Sequence, residues 1–186
     1  MSKGKLVVIS GASGVGKGTV LADMMRKRQD LHFSVSATTR DPRPSEVDGV
    51  HYYFVTKETF EDMIAGGEFL EYDKHWDTYY GTPRAQAEQK RENGHVLLDI
   101  EPMGARQVKE AAPDAILIFI MPPSMEELER RLRGRGDTPE DQITKRLERA
   151  AWEMDQRGFY DHVVVNDDAQ RCADEILGII AENIME

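Results

Sequence analysis

The segment Lys5-Leu-Val-Val-Ile-Ser-Gly11-Ala-Ser-Gly14-Val-Gly16-Lys17-Gly18-Thr19 constrains the fold more than any other part of the sequence. A short apolar run, read as a buried strand, ends in a glycine-rich turn, and a helix-forming segment follows at once. Gly11-x-x-x-x-Gly16-Lys17 has the spacing of a phosphate-binding P-loop. Glycines let the backbone curl so that successive N–H groups face inward as an anion nest. The following helix aims its positive end into the same nest, and Lys17 adds a mobile full charge. A nucleoside triphosphate is the natural guest, with Gly11, Ala12, Ser13, Gly14, Val15, Gly16, Lys17, Gly18 and Thr19 as its binding residues.

The strict motif wants Ser or Thr directly after the lysine to hold magnesium. Here that place is Gly18, and the hydroxyl comes one residue later at Thr19. Gly-Lys-Gly-Thr resembles the variant found in small nucleotide kinases, which makes it a subtype of the motif and Thr19 the metal-side hydroxyl.

The 186 residues, 40% hydrophobic and 31% charged, suffice for one globular unit with a sizeable core. With 34 Asp and Glu against 24 Lys and Arg, the chain gives no electrostatic support to a nucleic-acid or anionic-membrane role. A polyanionic small substrate must be held by locally clustered arginines. Cys172 is alone, which rules out an intramolecular disulfide and suits a reducing compartment; as a small hydrophobe on a helix it needs no other role. No signal-peptide hydrophobic region precedes the first strand, and no apolar run approaches a membrane span. A cytoplasmic location is expected, with no obligate protein partner inferred.

Three further apolar runs read as buried parallel strands: Val96 to Ile100, Ala115 to Met121 and His162 to Asn166. Each lacks the alternation of a half-exposed strand, as a sheet covered on both faces requires. Ser124-x-x-Glu127 reads as a capping box before a helix to about Arg133; Thr138-Pro139 starts another to about Asp155, and Ala169 to Glu182 forms an amphipathic C-terminal helix. Strands alternating with helices imply a doubly wound α/β core. Two segments break the rhythm. From about Ser36 to Asn93 the composition turns polar and aromatic and looks like an inserted α+β lobe. Arg130 to Arg157 reads as two helices joined by Gly134-Arg135-Gly136-Asp137, a hinge that suits a mobile lid.

Ser34-Val-Ser36-Ala-Thr-Thr39-Arg40-Asp-Pro42-Arg43 leaves a strand for a proline-stiffened loop with two arginines three apart. Such arginines can clamp one phosphate, because the guanidinium fork matches its oxygens; stray charges on a solvated loop are the plainer alternative. Glu71 and Glu101 are the next candidates, Glu101 because a carboxylate at the carboxyl end of a parallel strand faces the ligand crevice. Asp99, in the same place, could orient magnesium through water, or could instead cap a helix or pair with Lys17.

Eight segments in order then carry a resemblance across nearly the whole chain: Gly11 to Thr19, Ser34 to Arg43, Gly49-Val-His-Tyr52-Tyr-Phe-Val55, Glu68-Phe-Leu-Glu71, Tyr79-Tyr-Gly-Thr82, Leu98-Asp-Ile-Glu101, Arg131-Leu-Arg-Gly-Arg-Gly136 and Val165-Asn-Asp-Asp168. Together they resemble the guanylate kinase family. The resemblance implies an α/β fold: a P-loop NTPase core with a five-stranded parallel sheet, an inserted α+β GMP-binding lobe and a helical LID. It divides the chain into CORE (1–36, 94–124 and 158–186), GMP-binding lobe (37–93) and LID (125–157). It implies ATP and GMP as small-molecule substrates, Mg²⁺ as cofactor, and roles for single residues. Those matching Arg40, Arg43, Tyr52 and Tyr80 hold the GMP phosphate. Those matching Ser36, Glu71, Thr82 and Glu101 read the guanine. Arg135 and Arg146 reach from the LID toward the transferring phosphate, so that Lys17, Arg40, Arg135 and Arg146 form the catalytic set, and Asn166 lies beside the adenine. Glu101 stands where relatives often have Asp, and Thr82 where some have Ser.

The chemistry agrees. Guanine's Watson–Crick edge offers a ring N–H and an amino group, two adjacent donors that one carboxylate accepts together; its carbonyl wants a donor, which Ser36 or Thr82 can supply. Adenine would set a lone pair against Glu71. A site left with unpaired polar groups by the wrong substrate discriminates by ~10⁴ or more. Among the other aromatics, Tyr53, Phe54, Tyr72 and Trp76 read as lobe core. The remaining LID cations, Arg130, Arg131, Arg133, Lys145 and Arg149, read as helix-face residues pairing with Glu126, Glu127 or Glu148. Two rivals stay open: a guanylate-kinase-like module that binds phosphopeptides, and a kinase for another phosphorylated acceptor such as a ribose bisphosphate.

Overall fold

The alternation of strand and helix is present in chain order. The computed structural model describes residues 3–134 and 139–184. β1 (Leu6–Gly11) passes through the glycine turn into α1 (Lys17–Lys27), followed by β2 (Leu31–Phe33) and β3 (Ala37–Thr38). Next come β4 (Tyr53–Phe54), α2 (Lys57–Ala65), the hairpin of β5 (Phe69–His75) and β6 (Thr78–Pro83), and α3 (Arg84–Arg91). β7 (His95–Asp99), α4 (Pro102–Ala111), β8 (Ile116–Met121), α5 (Met125–Gly134) and α6 (Glu140–Asp155) follow. A 3-10 turn (Gln156–Phe159), β9 (His162–Val165) and α7 (Ala169–Ile184) complete the described chain.

Five strands form the expected parallel sheet, in the order β2-β7-β1-β8-β9. β1 and β8 run in register from Val7 opposite Ile116 to Gly11 opposite Ile120. The first five residues of each are buried without a break, which is why neither alternates in sequence. By its contacts the chain divides into two compact units. One comprises Met1–Leu6, Asp30–Asp99 and Met103–Ala115; the other comprises Val7–Gln29, Ile100–Pro102 and Ile116–Glu186.

The first unit contains a second, mixed sheet in the order β4-β3-β6-β5. Four of the aromatic residues form a core: Phe60 of α2 stacks on Phe69 at 4.4 Å and on Tyr79 at 5.1 Å, and Tyr53 packs against the same cluster. Trp76 corrects the expectation that it would join them. It stands in the two-residue turn between β5 and β6, at φ 58°, and is 96% exposed. A hairpin this tight needs a left-handed residue at its tip, and a residue at the tip points away from the sheet. Tyr72, too, is exposed, and Phe54 lies beside Tyr52 and Arg40, away from the core cluster. In β5 the register slips between Phe69, opposite Pro83, and Glu71, opposite Thr82. That extra residue is a bulge, a device that re-aims side chains beside functional sites.

In the second unit, α5 begins as its capping box predicts: Ser124 Oγ accepts the Glu127 N–H at 3.1 Å. Glu127's own carboxylate turns instead to Arg130 and Arg131. α6 begins directly after Pro139. α7 buries Cys172, Ala173, Ile176 and Ile180 along one stripe, and burial pushes the Cys172 thiol up to about 11. Cys172 is a packing residue. Among the described residues no helix is long and apolar enough to cross a membrane.

Candidate active site

The P-loop of the second unit adopts a conformation that its glycines alone permit. Gly14 and Gly16 have φ of 88° and 92°, in the left-handed region that L side chains rarely adopt. Space forbids a side chain there too: a Cβ on Gly14 would lie 2.6 Å from Leu132 of α5, and one on Gly16 would lie 2.9 Å from Asn166 Nδ2. Gly18 differs, with nothing within 4 Å of its Cβ position, so it is no steric requirement of the loop.

Three side chains fasten the loop from outside. Val15's carbonyl accepts from Asn166 Nδ2 at 2.8 Å and from Arg131 Nη1 at 3.2 Å. Arg131 also donates from Nη2 to the Asn166 carbonyl at 3.1 Å. Ser13's N–H donates to the buried carboxylate of Glu153, on α6, at 2.8 Å. Glu153's other oxygen accepts from Arg149 Nε at 3.1 Å. Around this loop lies a cavity of about 350 Å³, lined by residues 11 to 19 together with Ile100, Glu101, Arg149 and Glu153. It holds a run of backbone amides, the amine of Lys17 at the start of α1 and the hydroxyl of Thr19. Those are the groups that grip a polyphosphate.

The first unit holds the other set. Arg40 leaves β3 and meets Glu46 in a two-pronged ion pair: Nη1 donates to Oε2 at 2.7 Å and Nη2 to Oε1 at 2.6 Å. The guanidinium lies 5.1 Å from the Tyr52 ring and 5.7 Å from the Phe54 ring. Tyr52 and Tyr80 meet edge to face at 6.1 Å. Glu46, with Tyr80 beside it, raises the pKa of Arg40, and Arg40 in turn lowers Glu46 to about 2. Arg40, Tyr52 and Tyr80 therefore meet in one cluster. Arg43 is exposed, and its backbone N–H also donates to Glu46, at 2.8 Å.

Glu71 is buried, and Thr82 Oγ1 donates to its Oε1 at 2.6 Å. Ser36, the other hydroxyl expected at the base, is half-buried between β2 and β3. On Glu71's other side lies Gly104 of α4, where a Cβ would stand 2.6 Å from Oε2.

The remaining expected residues are distributed as follows. Asp99 closes β7 and is exposed; Thr19, in the first turn of α1, is exposed as well. Both offer hard oxygens of the kind Mg²⁺ takes, the ion keeping several of its waters. Glu101 lines the P-loop cavity and pairs with Arg149 at 2.6 Å. Arg146 is half-buried on α6, three residues before Arg149. Arg135 lies outside the described residues. Asn166 is buried with its amide N–H on Val15, so here it braces the P-loop.

Sequence reasoning missed five residues: Glu46, Gly104, Arg131, Arg149 and Glu153. Arg130, Arg131 and Arg133 do pair along their own helix with Glu127 and Glu129. The reading of Arg131 and Arg149 as plain helix-face cations is corrected, because Arg131 reaches the P-loop and Arg149 lines its cavity. Helical spacing displays the i,i+4 partners; it does not display a partner more than 100 residues away, such as Val15 for Arg131.

A family model described as guanylate kinase matches residues 3–183. The guanylate kinase of Clostridioides difficile (strain 630) is 48% identical over 182 residues, 97% of this chain and 89% of its own. That of Thermus thermophilus is 50% identical over 179 residues, 96% and 81% of the two chains. The crystal structure of guanylate kinase from Anaplasma phagocytophilum matches with a TM-score of 0.77 at 35% identity, covering 100% of this chain and 88% of that one. The SH3-kinase fragment of tight junction protein 3 shares the fold alone, with a TM-score of 0.52 at 13% identity, covering 98% of this chain and 58% of that one. Since the family model spans almost the full length and both relatives run alongside the chain nearly end to end, the chain belongs to the guanylate kinase family.

Proposed function

We infer that this enzyme transfers the γ-phosphoryl group of ATP to GMP, giving ADP and GDP. A phosphate oxygen of GMP attacks the γ-phosphorus, the bond to the β,γ-bridging oxygen breaks, and ADP departs. No covalent protein intermediate is required. Catalysis is placement of two anions in line and shielding of charge as it spreads over the moving group. Lys17 and the P-loop amides hold the donor. Arg40 and Arg43, with Tyr52 and Tyr80, hold the acceptor phosphate, and Arg135 and Arg146 serve the centre. Glu71, Thr82, Glu101 and Ser36 read guanine, with Thr82 also orienting Glu71, and Asn166 lies beside the adenine while its amide braces the donor loop. Thr19 would hold Mg²⁺, with Asp99 acting through water, and the ion would supply positive charge to the phosphates.

The observation that carries the choice of guanine is the buried Glu71 carboxylate, fixed by a hydroxyl that can only donate to it. An acid so held accepts two adjacent donors, which guanine has and adenine lacks. We divide the chain by function into CORE (1–36, 94–124, 158–186), GMP-binding lobe (37–93) and LID (125–157), with closure of the latter two excluding water that would otherwise hydrolyse ATP. The lone, buried cysteine suits work in the reducing cytoplasm on small-molecule substrates.

A phosphopeptide-binding module is the rival reading, and it has no use for a phosphate nest completed by Lys17. A coupled assay of ADP release over GMP, dGMP, AMP, UMP and CMP tests the assignment. Turnover confined to the guanine nucleotides is expected; equal turnover of AMP would remove the substrate reading while leaving the kinase.

A further inference from the structure

Arg149 lies between two carboxylates at the edge of the phosphate cavity. Its Nη2 donates to Glu101 Oε2 at 2.6 Å and its Nε to Glu153 Oε1 at 3.1 Å. The two partners are unequal. Glu153 is buried, and its second oxygen is engaged by the Ser13 N–H of the P-loop, so this contact is anchored on both sides. The Glu101 pair is open to solvent, each side chain being 45% exposed. Ion pairs so exposed are worth little and exchange readily.

The cavity that these residues line is built for a polyanion. Two carboxylates at its edge would repel an incoming triphosphate, were a cation not set between them. A phosphate group carries more charge than Glu101 and presents two oxygens to the guanidinium fork, so it competes well for the Nη face. Arg149 stands four residues before Glu153 on α6. Its Nε can therefore keep the buried carboxylate while its Nη groups change partner.

We propose that Arg149 couples the two substrates. Without ATP it holds the carboxylate of Glu101; when the phosphates of ATP occupy the cavity, the guanidinium turns to them and Glu101 is released to the guanine base. Arg149 is thus a positioning residue for Glu101, and donor binding raises the affinity for acceptor. The coupling rests on the reading of Glu101 as a guanine-binding carboxylate. By linkage, GMP must favour ATP binding by the same factor.

Calorimetric titration of the full chain with GMP, with and without saturating Mg²⁺ and a β,γ-methylene analogue of ATP, tests this on wild type, R149A, R149M and E101Q. In wild type the analogue should tighten GMP binding by at least about 5-fold, the lower end of usual coupling factors. R149A should bind GMP more tightly than wild type when the analogue is absent, and should lose most of the response to it. R149M keeps the aliphatic stem over α6 and stands in should R149A unfold, with thermal melting reporting the fold of each. A merely structural Arg149 would weaken GMP binding in both states or leave it unmoved. The proposal is overturned if wild type shows no coupling, if the folded Arg149 variants retain it, or if they fail to tighten GMP binding. E101Q separates the premise from the device: GMP affinity unchanged in E101Q removes Glu101 from guanine reading, whereas weakened binding in E101Q with full coupling in R149A removes only the role of Arg149.

Discussion

Glu46 holds Arg40 by both prongs of its guanidinium while accepting the backbone N–H of Arg43, so one carboxylate shapes the loop from Arg40 to Glu46. The pair lies against Tyr52 and Phe54, whose rings cover the guanidinium. Arg40 has five N–H donors, and Glu46 together with the Asp41 carbonyl engages its Nη groups. Glu46 itself contacts the Nη groups and not Nε, so it acts as a scaffold for the arginine.

Glu46→Gln should therefore weaken acceptor binding. The amide replaces one acceptor with a donor that faces Arg40, which breaks the two-pronged pair. A rise in KM for GMP of roughly 10-fold to 100-fold is expected, with KM for ATP within about 2-fold. Steady-state kinetics with each substrate varied in turn would reveal it. Equal loss for both substrates would mean that the loop's general order, not Arg40, was damaged.

The same pair sets a pH dependence. Arg40 first, and the Arg43 N–H next, lower the Glu46 carboxyl from 4.5 to about 2 in the folded protein. A depressed carboxylate stabilises the fold at all pH values above its unfolded pKa, and the contribution drains away as pH falls toward the folded one. The stability gap between wild type and Glu46→Gln should stay flat above pH 5 and shrink steadily between about pH 4.5 and pH 2. Urea denaturation across that range measures it. A gap that is constant down to pH 2 would assign the difference to packing.

Much of this site was legible because its chemistry is written locally. Gly14 and Gly16 announce a backbone that other residues cannot adopt, and the burial of β1 and β8 follows from runs with no polar break. Glu71, too, is marked locally, as the acid that follows Phe69-Leu70. What stayed hidden acts across long sequence separations. Glu153 and Ser13 are 140 residues apart, and nothing in Trp152-Glu153-Met154 marks that acid as the one facing a P-loop amide. Gly104 was invisible for another reason: its effect is the space it leaves for a particular carboxylate, and spacing along α4 does not reveal which side chain needs that space. Trp76 misled because a large apolar side chain is ordinarily core, whereas the two-residue turn here overrides that preference.

Gly104→Ala should separate function from stability. Its new methyl would stand 2.6 Å from Glu71 Oε2 and 3.2 Å from Cδ, so the carboxylate must move. In a helix, alanine is favoured over glycine by about 1 kcal/mol, so the fold should not suffer. KM for GMP should rise by roughly 10-fold, equivalent to ~1.4 kcal/mol, with an unchanged or higher thermal midpoint. A lower midpoint with normal GMP kinetics would show that α4, and not Glu71, had given way.

Glu71→Gln is the sharpest test of substrate choice. With the glutamine carbonyl keeping the Thr82 hydroxyl as its donor, the NH₂ group takes the place of the other oxygen. Guanine's ring N–H and amino group then face a donor where they had an acceptor. A lost bidentate base contact costs ~1–3 kcal/mol by analogy with base-edge readout, or roughly 5-fold to 150-fold. The loss should fall on KM for GMP, with a smaller fall in kcat and little change in KM for ATP. AMP should gain relative to GMP, because an amide pairs with adenine's amino group and ring nitrogen where a carboxylate meets a lone pair. Competition between GMP and AMP in one assay reads that ratio directly. Should the ratio and the GMP kinetics both stay at wild-type values, Glu71 does not touch the base, and the selection of guanine must come from elsewhere in the lobe.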